Sequence, residues 1–192
     1  MGTCCRWRAK RGERPSPVPV VSGLGAIRVR ALGGVVVVVG LMGATVALAA
    51  GSSVNLVVKL APQIARAKTG KVAVLMPSSI RADVAASRLY GAGGATAKGY
   101  DIQLAYAPRC DDGTACFFAE FEGGPQTKLP GTRVALARGI TGTYSGIHCG
   151  ASCGPASIEW KQGGAIYSVQ YVLGGKSSMT ALADSAIDAG AR

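Results

Sequence analysis

The 192-residue chain carries a formal charge of +11, with 28 glycines, six cysteines and one histidine. Aromatic residues make up only 6% of it and no basic and aromatic stripe accompanies the charge, so a nucleic-acid interface is excluded as its explanation. The charge is lopsided: seven of the 21 basic residues (Arg6, Arg8, Lys10, Arg11, Arg14, Arg28 and Arg30) lie in the first thirty positions against Glu13 alone, and the rest of the chain holds a net +5.

Behind this basic head comes an uncharged run whose apolar core, residues 31–50 (ALGGVVVVVGLMGATVALAA), is twenty residues long. A helix of that length rises about 30 Å, the hydrocarbon thickness of a bilayer. The run reads as an export signal or a membrane anchor, and the positive-inside rule keeps the head cytoplasmic and sends the remainder across. Ala47-Leu48-Ala49 offers an A-x-A cleavage site with small residues after it, whereas the long head and span favour retention. No cysteine follows the run to take a lipid, and the start Met1-Gly2-Thr3-Cys4-Cys5-Arg6 lacks the Ser or Thr of a myristoylation motif, so Cys4 and Cys5 read as cytoplasmic thiols. The expected organisation is a basic cytoplasmic head at residues 1–30, a transmembrane anchor or signal peptide at 31–51, a stalk at 52–69 and an exported domain at 70–192. The expected location is a bacterial inner membrane, single-pass with the C-terminus outside, or the periplasm or exterior after cleavage near Ala49.

In the stalk, Leu56, Leu60 and Ile64 repeat at helical spacing, but Pro62 interrupts them, which predicts at most a short helix. Residues 71–76 form one short apolar strand before Pro77, and residues 91–99 (GAGGATAKG) a flexible loop without the glycine spacing of a dinucleotide fingerprint. From residue 100 the period is two. Residues 100–106 place Asp101 and Gln103 outward, and residues 115–122 place Phe117, Ala119 and Phe121 on one face with Glu120 and Glu122 on the other. Residues 132–144 read as a third strand marked by Val134 and Leu136. Residues 157–161 and 166–172, joined through Gln162-Gly163-Gly164, read as a β-hairpin with Trp160 in the core. The period then changes: Met179, Leu182, Ala183, Ala186 and Ile187 make an apolar stripe on a helix that Ser177 or Ser178 can cap and Gly190 can end. The fold class is α+β, an antiparallel sheet of about five or six strands with a C-terminal helix, behind an N-terminal transmembrane or signal helix.

Four cysteines fall in the exported part, as Cys110-x5-Cys116 and Cys149-x3-Cys153. An even count outside the cytoplasm reads as a disulfide framework, with the sequence-local pairing preferred and a cross-link between the loops left open. The same four sulfurs with His148 are a set that zinc accepts, although the two-to-four-residue spacing usual in structural zinc sites is not present on both sides. Gly150-Ala151-Ser152-Cys153-Gly154 fits G-x-S-x-G, but Pro155 follows and His148 precedes, opposite to the order a nucleophile elbow needs. Asp111-Asp112-Gly113 reads as a solvated turn.

The segment GITGTYSGIHCGASCGPASIEWKQGGAIYSVQYVL, followed by LADSAIDAGAR, resembles a group of uncharacterised exported bacterial proteins. Their pattern is a C-G-x-S-C-x-P run, an I-x-W hairpin with Gly and Tyr, and a final A-N-S-A-I helix; Pro77-Ser78, residues 100–105 and residues 110–118 extend the likeness. Asp184 stands where the pattern has Asn, and residues 91–99 look inserted. The resemblance implies export and no activity, cofactor or catalytic residue. The role expected from the chain as a whole is a membrane-tethered, non-enzymatic envelope module, contacting the membrane through residues 31–50 and binding another macromolecule or a cell-wall or lipid component. The alternative is a zinc-binding or thiol-dependent enzyme using Cys110, Cys116, Cys149, Cys153 and His148.

Overall fold

The structure, a computed structural model, describes residues 51–110, 114–125, 130–150 and 153–192. The expected head, anchor and cleavage site lie outside the described residues, and no described helix is long and apolar enough to cross a membrane. In chain order the elements are β1 (Ser52–Asn55), α1 (Leu56–Lys59), α2 (Ala61–Ala67), β2 (Ser79–Ala82), β3 (Tyr90–Ala95), β4 (Tyr100–Ala105), β5 (Phe117–Gly124) and β6 (Thr132–Ala135). They continue with β7 (Thr141–Ser145), β8 (His148–Cys149), β9 (Cys153–Gly154), β10 (Ala156–Gln162), β11 (Ala165–Tyr171) and α3 (Lys176–Ala189).

Seven strands form one antiparallel sheet in the order β3-β4-β5-β11-β10-β7-β6, so the class is α+β with more strands than expected. Alternation of side chains along each strand sorts the two faces of the sheet. Register brings Ile102, Phe121, Val169 and Ile158 side by side across four strands, all within 1% of complete burial. Over this apolar row lie the helices. Met179, Leu182, Ala183, Ala186 and Ile187 of α3 are all buried, as their spacing predicts. The helix is capped one turn earlier than expected: Gly175 is the N-cap, and the Ser178 hydroxyl both accepts from its N–H and donates to its carbonyl at 2.9 Å. Gly190 ends the helix with φ +68°, as expected.

The expected β-hairpin of β10 and β11 is present, closed by Gly163 and Gly164 at φ +58° and +85°, values that suit glycine in a two-residue turn. Trp160 is buried and stacks on Tyr167 with ring centroids 5.7 Å apart.

Five expectations are corrected. Residues 52–69 are not a stalk, and the domain does not begin at residue 70: Val54, Leu56, Leu60, Ile64 and Ala67 all belong to the core. The stripe is divided as expected into two short helices, α1 and α2, which part at Leu60; Pro62 occupies the first turn of α2, where its missing N–H has no intrahelical partner to lose. Residues 71–76 are buried at Val74, Leu75 and Met76 but pair with no strand; the strand before residue 90 is β2, paired with β1. Residues 91–99 are mostly strand, because β3 pairs with β4 from Tyr90 opposite Ala105 to Ala95 opposite Tyr100. Residues 132–144 are two strands, β6 and β7, folded back through a turn at Arg138 and Gly139, both at positive φ. Finally, the register shifts between Leu104 and Ala105, leaving Phe118 as an extra residue on β5. That bulge puts Phe118, not Phe117, fully into the core, edge-on to Tyr106 and Tyr171.

Edge strand β3 has two backbone carbonyls covered. Gln63 Nε2 donates to the Gly91 carbonyl at 2.7 Å, and Arg66 donates through Nε and Nη2 to the Gly93 carbonyl. The glycines let α2 approach this closely; a Cβ at Gly91 would fall 2.5 Å from the Leu60 side chain.

Candidate functional site

The four cysteines form two local disulfides. Cys110 and Cys116 are bridged within the connection from β4 to β5, Cα atoms 5.7 Å apart, and the Tyr106 N–H donates to the Cys116 carbonyl. Cys149 and Cys153 lie directly opposite each other in β8 and β9, Cα atoms 4.0 Å apart. The pairing of β8 with β9 keeps the register of β7 with β10: Ser145 faces Ser157, and His148 faces Gly154. The two ladders are thus one long hairpin arm, interrupted near Pro155, which has no N–H to donate. The His148 ring lies over Gly154, where a Cβ would come within 2.7 Å of Nε2.

With all four sulfurs in disulfides, the thiolate set of the zinc and thiol-enzyme readings is not assembled. No group of three or more His, Cys, Asp or Glu side chains is placed to hold a metal among the described residues. Ser152 of the G-x-S-x-G match and the Asp111-Asp112-Gly113 turn lie outside the described residues.

The face of the sheet away from α3 is polar. Register aligns Asp101, Glu122, Ser168 and Glu159 across four strands, with Gln103, Glu120 and Gln170 in the next row. Gln170 Nε2 donates to Glu120 at 2.7 Å, Gln103 Nε2 donates to it at 3.4 Å, and the Ser168 hydroxyl donates to Glu122 at 3.0 Å. Burial, joined by repulsion from Glu122 and Asp101, pushes the Glu120 carboxyl up to about 7. Burial also raises Glu122 above the ordinary carboxylate range. The outward positions of Asp101, Gln103, Glu120 and Glu122 were legible from alternation. Their union with Glu159, Ser168 and Gln170 was not, since strand order is not written in any one strand.

A second feature went unread in the sequence. A groove of about 920 Å³ runs between β2 and α3. Its apolar lining comes from Ile80, Ala82, Leu173, Ala181 and Leu182, with Ser52, Ser79 and Ser178 among the hydroxyls and Arg81 and Asp83 among the charges. Tyr171 closes one side, its hydroxyl donating to the Arg81 carbonyl. Burial raises the Tyr171 phenol, the nearby Asp83 carboxylate adding to the rise and Arg81 opposing it. Asp83 is itself engaged, accepting from the Tyr106 hydroxyl at 2.9 Å. Compared with family models, with curated proteins and with solved structures, the chain matches none of them.

Proposed function

We propose that the protein is an exported envelope module, tethered to the membrane through residues 31–50, that binds another envelope component without catalysing a reaction. The observation that carries this reading is the closure of two disulfides within one domain, directly behind a basic head and a twenty-residue apolar run. Disulfides persist where thiols are oxidised, outside the cytoplasm, and the charge asymmetry directs the domain to that side. The likeness of residues 139–192 to exported bacterial proteins points the same way. A polar sheet face and an amphipathic groove are surfaces for recognition.

An alkaline phosphatase fused after Arg192, a reporter that needs periplasmic oxidation, tests the topology. Activity is expected; activity only from a cytoplasmic reporter at the same position overturns the reading. Mass spectrometry of the mature N-terminus distinguishes the two forms of export, since cleavage leaves Ala50 as the first residue and a retained anchor keeps the head.

A further inference from the structure

We propose that the groove between β2 and α3 takes an acyl chain of the very bilayer that anchors the protein, with an anionic headgroup held at Arg81. The proposal rests on reading residues 31–50 as a membrane anchor and adds to it a ligand and a place.

The first argument is one of chain length. A stalk at residues 52–69 would have held the domain away from the membrane, but those residues are core, and β1 begins at Ser52. The apolar run ends at Ala50, and Gly51 and Ser52 already line the groove. At about 3.3 Å per extended residue, the two steps of chain from Ala50 to Ser52 span at most about 7 Å. No flexible spacer intervenes. A lipid chain entering the groove therefore leaves the bilayer by only a short distance, and the rest of the lipid can remain at the interface.

The second argument is chemical. Alternation along β2 turns Ile80 and Ala82 inward and leaves Ser79 and Arg81 outward, so the groove has an apolar floor and a polar mouth. Leu173, 48% exposed, and Ala181 continue the apolar wall on the α3 side. An exposed leucine beside a strip of small apolar side chains fits a methylene chain, which asks for apolar area and no hydrogen bonds. At the mouth, the Arg81 Nη2 lies 3.8 Å from where a Cβ on Gly51 would sit, so the guanidinium stands beside the first residue after the run. A cation at that level meets the negatively charged surface of an anionic leaflet. Asp83 also lines the groove and carries the opposing charge, with one carboxylate oxygen accepting from the Tyr106 hydroxyl. The carboxylate-rich face of the sheet offers an anionic lipid nothing comparable.

The test uses the full chain reconstituted in phosphatidylglycerol vesicles doped with a phosphatidylglycerol whose acyl chain carries a diazirine. After illumination, cross-linked peptides are mapped by mass spectrometry. Cross-links are expected in residues 31–50 and, separately, at residues 80–84, Leu173 and Ala181. Ala181→Trp, which fills the groove from an exposed helix position, should lower the groove cross-links about tenfold and leave those in residues 31–50 unchanged. Leu173→Asp, which places a charge in the groove from the other side, should act likewise. Arg81→Gln, or phosphatidylcholine in place of phosphatidylglycerol, should lower groove labelling about fivefold.

Labelling confined to residues 31–50 overturns the groove while leaving the anchor standing. Loss of labelling in residues 31–50, with the protein released by a carbonate wash, overturns the anchor and the inference with it. Groove labelling indifferent to both Ala181→Trp and Leu173→Asp, or spread equally over the sheet's polar face, shows contact without a site and overturns the proposal. Equal labelling by the two lipids overturns the assignment of Arg81.

Discussion

The Tyr100 hydroxyl clasps one residue twice: it donates to the Leu75 carbonyl at 2.6 Å and accepts from the Leu75 N–H at 3.1 Å. A single side chain from β4 thus satisfies both backbone groups of buried Leu75, in a segment that pairs with none of the described strands. Burial raises the phenol well above its ordinary value, so it stays protonated and able to donate. Tyr100→Phe should leave two buried backbone groups without their partner and lower stability by about 2–4 kcal/mol. Chemical unfolding monitored by circular dichroism checks this; an unchanged midpoint would mean that the segment is held elsewhere.

Helix α3 carries a contrast within neighbouring residues. Ile187 is fully buried, and Ile187→Ala should cost about 2–5 kcal/mol. Asp188 makes an exposed ion pair with Arg138 at 3.3 Å, and Asp188→Ala should cost no more than about 1 kcal/mol. Equal shifts of the unfolding midpoint in the two variants would contradict the docking of the helix.

The cover over β3 can be removed at its most buried point. Gln63→Ala frees the Gly91 carbonyl beneath α2 and should cost about 1–3 kcal/mol. Arg66→Glu exposes the Gly93 carbonyl at the edge and should increase self-association, read by sedimentation, because an uncovered edge strand pairs with other chains.

Glu120 makes stability depend on pH. Its carboxyl titrates near 7 in the folded protein against 4.5 for an unperturbed glutamate, so the folded state binds the proton more tightly. Its contribution is therefore fully present below the unfolded value and is lost as pH rises through the folded one. The raised Glu122 acts in the same direction. Thermal unfolding should occur at a higher temperature at about pH 5 than at about pH 8, with the difference reduced in Glu120→Gln. A wild-type midpoint that rises over this interval would refute the assignment.

The disulfides predict a labelling pattern. Alkylation of the unreduced, denatured chain should leave Cys110, Cys116, Cys149 and Cys153 unmodified, and peptide mapping should recover the two local bridges. Replacing Cys149 and Cys153 together by serine should cost about 2 kcal/mol, the scale of a short closed loop. Peptides joined between the two loops would contradict the observed pairing.

The sequence alone determined those parts whose side chains repeat with the period of their element. Strand β4 buries alternate residues and α3 buries a stripe, so each records its own face in the choice of amino acid. The pairing of Cys110 with Cys116 and of Cys149 with Cys153 was readable for a related reason, since both bridges close within a few residues of chain. Tertiary structure decided the rest. The glycines of β3 carry no alternating pattern, because their strand is defined by backbone pairing with β4 and by the close approach of Leu60, Gln63 and Arg66. Leu56, Leu60 and Ile64 showed a helical stripe and Pro62 its division into short helices, but neither showed what the stripe faced. Phe118 replaced Phe117 in the core through a bulge, a single extra residue that displaces Phe117 while Ala119 and Phe121 keep the face their spacing predicts. The groove joins residues of β2 to residues of α3 that lie about a hundred positions apart, and only the docking of α3 against the sheet brings them together.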